Sequence, residues 1–143
     1  MAAAATAEID LKAIEHNIKV IRQLATKNRL AGIPYLKFNK KRLSETQILA
    51  VIKADAYGHG MVEVGQLLNK SGVSFFGVSD IAEGIKLRKS GIRKPILIFE
   101  STLPEATKNF FDYRLTPTVC TLALAYALNR HAQKIKKTIP IHV

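Results

Sequence analysis

The chain holds 143 residues, 48% of them hydrophobic, which is enough for one domain with a buried core and too apolar for a disordered segment. Its apolar runs fall far short of the roughly 20 residues that a membrane-spanning helix needs, and its single cysteine, Cys120, excludes an internal disulfide and suits a reducing cytosol. The net charge of +11 admits an anionic partner, but the basic residues Lys37, Lys40, Lys41, Arg42, Arg88, Lys89, Arg93, Lys94, Lys134, Lys136 and Lys137 are dispersed and not interleaved with aromatics, so they read as a solvated surface and not as a nucleic-acid platform.

The alanine-rich residues 1–5 lack a basic stretch and read as a frayed terminus rather than a signal peptide. A first helix follows, capped by Asp10, with Leu11, Ile14, Ile18 and Ile21 at helical spacing on one face. Residues 26–47 contain Gly32, Pro34 and a basic stretch that break the periodicity, which predicts an exposed connection. Residues 48–52 form a wholly apolar strand; helical spacing at Val64, Leu67 and Leu68 ends at Gly72. Residues 74–78 are a second strand, 80–89 a helix closed by Gly91, and 95–99 a third strand. Thr102 is expected to cap a short helix over 104–111. Residues 115–119 are a fourth strand weakened by Pro117, 121–132 a helix, and 139–143 a fifth strand. Cys120, after the apolar fourth strand, reads as a buried, inert thiol.

Each strand is followed by a helix, which predicts an α/β fold with parallel strands and right-handed crossovers. Two architectures fit: part of a TIM-type (β/α) barrel with about four to five βα units, or an open doubly wound sheet, which the length favours.

The densest chemical signal is Val51-Ile52-Lys53-Ala54-Asp55-Ala56-Tyr57-Gly58-His59-Gly60. Side chains alternate along a strand, so Leu49, Val51 and Lys53 share one face and Ile48, Ala50 and Ile52 the other. If Leu49 and Val51 point into a barrel, Lys53 arrives at the C-terminal mouth, where barrel active sites lie. Partial burial disfavours the charged form of an amine, and a neutral amine can condense with an aldehyde cofactor. A lysine that merely ends a strand and reaches for water is the alternative. His59 sits between Gly58 and Gly60 and reads as part of a tight turn; His16, His59, His131 and His142 lack metal-ligand spacing.

The string 51–60 resembles the cofactor-lysine motif of alanine racemases nearly residue for residue. The likeness continues in Ala7-Glu8-Ile9-Asp10-Leu11 with Ala13-Ile14 and Asn17, in Phe76-Gly77-Val78, Ala82-Glu83, Leu87-Arg88 and Gly91-Ile92, in Pro95-Ile96-Leu97, and in Leu115-Thr116-Pro117-Thr118-Val119. It covers most of the chain apart from 26–47, and Asp55 stands where relatives often carry asparagine.

The resemblance implies that residues 1–143 are the N-terminal portion of a pyridoxal 5'-phosphate-binding (β/α) barrel. It implies an isomerase that interconverts L- and D-alanine, supplies D-alanine for peptidoglycan and works in the cytoplasm as a homodimer, with no nucleic-acid or membrane partner and no metal. Lys53 would hold the cofactor and serve as one of two catalytic bases; Tyr57 would hydrogen-bond the cofactor phosphate. Phe99 falls near a position that touches the cofactor ring, or is plain core. The second base, a tyrosine, would come from a C-terminal β-domain across a dimer interface, and that domain lies outside these residues. On this reading the 143 residues alone form an incomplete, unstable barrel with little racemase turnover. The competing expectations are a non-catalytic, pyridoxal-phosphate-binding or regulatory half-barrel, and a basic nucleic-acid-binding domain.

Overall fold

The computed structural model describes residues 5–27 and 47–143, and the chain divides into two compact units, Met1–Thr46 and Gln47–Val143. In the first unit, helix α1 spans Leu11–Lys27. Asp10 caps it as the sequence implies: its carboxylate accepts the amides of Lys12 at 2.8 Å and Ala13 at 3.2 Å. Ile18 is buried and Ile21 half exposed, so the apolar stripe is covered unevenly. The helix continues through Thr26 and Lys27, where a connection was expected; the remainder of that expected connection, 28–46, lies outside the described residues.

The second unit is built on four parallel strands: β1 (Leu49–Val51), β2 (Phe75–Val78), β3 (Ile96–Ile98) and β4 (Thr116–Pro117). Between and after them come the single turn α2 (Lys53–Tyr57) and helices α3 (Met61–Lys70), α4 (Ile81–Lys89), α5 (Thr107–Asp112) and α6 (Leu122–Ile135). The sheet order is β1-β2-β3-β4, with Leu49 opposite Phe75, Phe76 opposite Ile96 and Leu97 opposite Thr116. A doubly wound sheet reverses its order at a switch point. Here every crossover steps the same way, which is how a barrel wall is laid down.

Strand alternation separates two faces. On the helix side, Phe76, Val78, Ile96 and Ile98 are fully buried together with Leu87, Phe110, Leu115 and Leu124. Burying each such side chain contributes about 1.5–3 kcal/mol, so this layer dominates the stability of the unit. Helix α4 lies close on the sheet because Gly84 has no side chain: a Cβ there would sit 3.0 Å from Ile98 and Leu115. The opposite, inner face is far more open, with Leu49, Val51 and Phe99 at 38%, 36% and 40% exposure.

Several expectations are corrected. The fifth strand shrinks to a single parallel bridge between Thr118 and His142, in which the His142 amide donates to the Pro117 carbonyl at 2.9 Å. Pro117 has no amide to extend the ladder, but the Thr118 hydroxyl donates to the Ile98 carbonyl at 2.7 Å and holds β4 to β3. Thr102 caps nothing; its hydroxyl turns back to the Glu100 carbonyl, and the helix at 104–111 begins as a 3₁₀ turn, Pro104–Ala106. Cys120 is exposed, because it lies beyond the short β4 and just before the Thr121 cap of α6.

Two basic residues leave the solvated surface where the sequence places them. Arg88 is only 9% exposed. Its guanidinium donates to the carbonyls of Tyr113 (2.8 Å), Ile92 (3.0 Å), Lys94 (2.7 Å) and Arg114 (2.7 Å), tying the end of α4 to the segments that enter β3 and β4. Burial, with the neighbouring Arg93 and Arg114 charges, pushes its pKa below the ordinary arginine value. Lys94 donates its amine to the Asn69 and Val73 carbonyls. Both groups work at the N-terminal side of the strands, the face of a barrel that serves stability.

Candidate active site

The C-terminal ends of β1 and β2 meet at α2. The Ile52 amide donates to the Gly77 carbonyl at 2.9 Å, and Lys53 follows at once, half-buried where β1 ends. Among the described residues its amine has no hydrogen-bond or ion-pair partner.

The backbone after Lys53 is unusual. Ala54, Asp55, Ala56 and Tyr57 all lie in the left-handed region, with φ of 49°, 54°, 56° and 55°. For L-residues this costs about 1–2 kcal/mol each, so roughly 4–8 kcal/mol over the turn. Such strain persists only where the surroundings over-determine it. Internal bonds supply part of the restraint: the Ala56 amide donates to Ile52 (3.0 Å), that of Gly58 to Ala54 (3.1 Å) and that of Gly60 to Asp55 (2.9 Å). The His59 ring is held at 2.9 Å from the Ala56 carbonyl, the structural role its flanking glycines suggest.

The rest of the restraint comes from α4. One Glu83 oxygen accepts the Ala54 amide at 2.7 Å and the other accepts the Ser79 amide at 2.8 Å. Asp55 accepts the Met61 amide at 3.1 Å, which fastens α3, and pairs with the Lys86 amine at 2.9 Å. The bond from Lys86, and then that from Met61, hold the Asp55 carboxyl below its usual range. Sequence reading gave Glu83 no role. Its signal was the pattern Asp80-x-x-Glu83, a capping-box spacing, and Asp80 does accept the Glu83 amide at 2.8 Å. A capping box would return the glutamate to the Asp80 amide; this one reaches across the mouth instead.

Tyr57 ends the same turn, 59% exposed, so its backbone stays at the end of the strands where Lys53 stands. The inner face behind them carries Leu49, Val51, Gly77 and Phe99. A Cβ on Gly77 would fall 2.7 Å from the Phe99 ring, so glycine is what lets that ring lie against β2. Phe99 is therefore an exposed aromatic on the inner face and not core. Among the described residues no three His, Cys, Asp or Glu side chains gather as metal ligands, and no helix is long and apolar enough to cross a membrane.

Residues 35–143 match the family model described as alanine racemase, N-terminal domain. The chain belongs to the alanine racemase family. It is 37% identical over 139 residues to the alanine racemase of Desulfosudis oleivorans, covering 97% of this chain and 31% of that protein. With the alanine racemase of Carboxydothermus hydrogenoformans it shares 36% identity over 137 residues, covering 96% and 32%. It superposes on the alanine racemase of Clostridium difficile 630 with a TM-score of 0.77 at 35% identity, covering 94% of this chain and 31% of that one. A histidine racemase from Leuconostoc mesenteroides, at TM-score 0.73 and 23% identity, covers 93% and 31% and shares the fold. The chain thus spans about a third of the length of the curated alanine racemases it matches.

Alanine racemases are a pyridoxal-phosphate-dependent family, and the residues present fit that group. An amine free of partners among the described residues stands at the strand ends, and the inner face beneath offers an open apolar and aromatic surface.

Proposed function

We propose that this chain is the cofactor-lysine part of a cytoplasmic, homodimeric racemase that interconverts L- and D-alanine and supplies D-alanine for peptidoglycan. The observation that carries the reading is the Lys53 amine, unpartnered among the described residues, on a strained turn at the mouth of a racemase-family half-barrel. Bound pyridoxal phosphate supplies an electron sink that makes the substrate α-proton acidic.

The remaining work falls to side chains. Lys53 Nζ would hold the cofactor and would take or return the α-proton on one face. The Tyr57 hydroxyl would hydrogen-bond the cofactor phosphate. Leu49, Val51 and Phe99 offer an apolar wall on the inner side of the site. Racemisation needs a second base on the opposite face, and the family pattern draws it from a tyrosine of the partner protomer. General acid–base catalysis contributes about 10²–10⁴-fold, so each base is indispensable to useful turnover.

The test is borohydride reduction in the presence of pyridoxal phosphate, followed by peptide mapping, with Lys53→Ala run beside the unsubstituted protein. Label confined to Lys53, and lost in Lys53→Ala, is the expected result. Label spread evenly over surface lysines, or selective labelling that persists in Lys53→Ala, would overturn the proposal.

A further inference from the structure

We propose that Glu83 is a positioning residue, bridging the Ala54 and Ser79 amides and so fixing the direction in which the Lys53 amine leaves β1. The inference rests on the reading of Lys53 as the cofactor lysine and adds a determinant outside that residue's own strand and turn.

Three observations carry it. The left-handed run begins at Ala54, directly after Lys53, so whatever sets the Ala54 backbone sets the exit of the lysine side chain. The Ala54 amide is bonded at 2.7 Å to Glu83, a residue 29 positions away, and not to a carbonyl of its own turn. Ser79, the other amide on the carboxylate, follows β2 directly, so one side chain ties the C-terminal ends of two adjacent strands. Ionised acceptors make the shorter and stronger hydrogen bonds, which suits a group that must hold a disfavoured backbone.

Helix α4 is itself fixed against this load. Asp80 caps it through the Glu83 amide at 2.8 Å, and Lys86, one turn beyond Glu83, meets Asp55 at 2.9 Å, so α4 grips α2 at two successive residues. Glu83 does not touch the reacting atoms; it acts through the aim of Lys53. Aim matters because a misplacement of about 1 Å can cost about 100-fold in rate.

The experiment compares the unsubstituted protein with Glu83→Ala and with the isosteric Glu83→Gln, which keeps one acceptor. Thr121→Ala, which removes the distant cap of α6, serves as a destabilised control. The first readout is the rate of borohydride capture of pyridoxal phosphate at Lys53 relative to other lysines, and the second is amide hydrogen exchange over residues 53–60 without cofactor. The expected result is capture at Lys53 slowed roughly 10–100-fold in Glu83→Ala, with a smaller loss in Glu83→Gln. Faster exchange confined to 53–60 should accompany it, and Thr121→Ala should change neither readout. Should Glu83→Ala fail to fold, Glu83→Gln carries the comparison. Wild-type capture rates and exchange in Glu83→Gln overturn the proposal, as does an equal effect of Thr121→Ala. Absence of selective capture in the unsubstituted protein would count against the cofactor reading instead. The exchange data would then decide for Glu83: selective loss of protection upholds its hold on the turn, and unchanged protection overturns it.

Discussion

Replacing Arg88 by methionine removes the guanidinium while keeping much of the apolar stem. Four backbone carbonyls, those of Ile92, Lys94, Tyr113 and Arg114, then lose donors at 2.7–3.0 Å. A hydrogen bond from a charged donor contributes about 1.5–3 kcal/mol, but much of that is offset by the desolvation of a guanidinium only 9% exposed. The four contributions therefore do not add. A buried acceptor left unsatisfied costs about 1–3 kcal/mol, and loss of the guanidinium's own desolvation penalty offsets part of the sum, so Arg88→Met should cost about 3 kcal/mol. Against a total stability of about 5–15 kcal/mol, this is a large share. Urea titration followed by far-ultraviolet circular dichroism should show a lower midpoint with an unchanged slope. Arg88→Lys should recover little, since one ammonium cannot span four carbonyls that a planar fork reaches. A midpoint for Arg88→Met equal to that of the unsubstituted protein would show that the network contributes nothing.

Gly77→Ala places a Cβ 2.7 Å from the Phe99 ring, forcing that ring off the inner face; a loss of about 1–3 kcal/mol in denaturant titration is expected. Lys53→Ala should abolish selective borohydride labelling and leave the unfolding midpoint nearly unchanged, because the Lys53 side chain makes no polar contact among the described residues. The Asp55 carboxyl titrates below its unfolded value near 3.8, so it contributes stability that is complete above that value. This contribution is lost as pH falls from about there through the depressed folded pKa. Asp55→Asn keeps an acceptor for the Met61 amide but cannot titrate, so the stability difference from the unsubstituted protein should be constant above pH 4 and vary only in this acid window. A difference that instead varies near neutrality would refute the assignment.

Much of the fold was legible because it is written in local period. Wholly apolar runs marked β1 and β3, helical spacing and glycine stops marked α3 and α4, and Asp10 stood where a cap belongs. Period two along β1 also sets Leu49 and Val51 on one shared face and delivers Lys53 to the strand end, which needs no knowledge of the partner strands; that this face is the inner one is decided by the fold. The strand expected at 139–143 is reduced to a bridge at His142, because Pro140 has no amide with which to extend a ladder.

What the sequence by itself determined is thus the alternation of strand and helix, the apolar layer and the place of Lys53, all of which depend on neighbours within a few residues. What only the tertiary structure decided is which polar groups leave water. Arg88 looks like any surface arginine until the carbonyls before β3 and β4 converge on it, and Glu83 looks like half a capping box until β1 brings the Ala54 amide to its second oxygen. The left-handed turn has largely the same origin: neither alanine nor tyrosine favours positive φ, and contacts from α4, distant in sequence, hold the turn there together with a local one from the start of α3. A hydrogen bond has one geometry but no sequence separation, so its partners become visible only once the chain has folded.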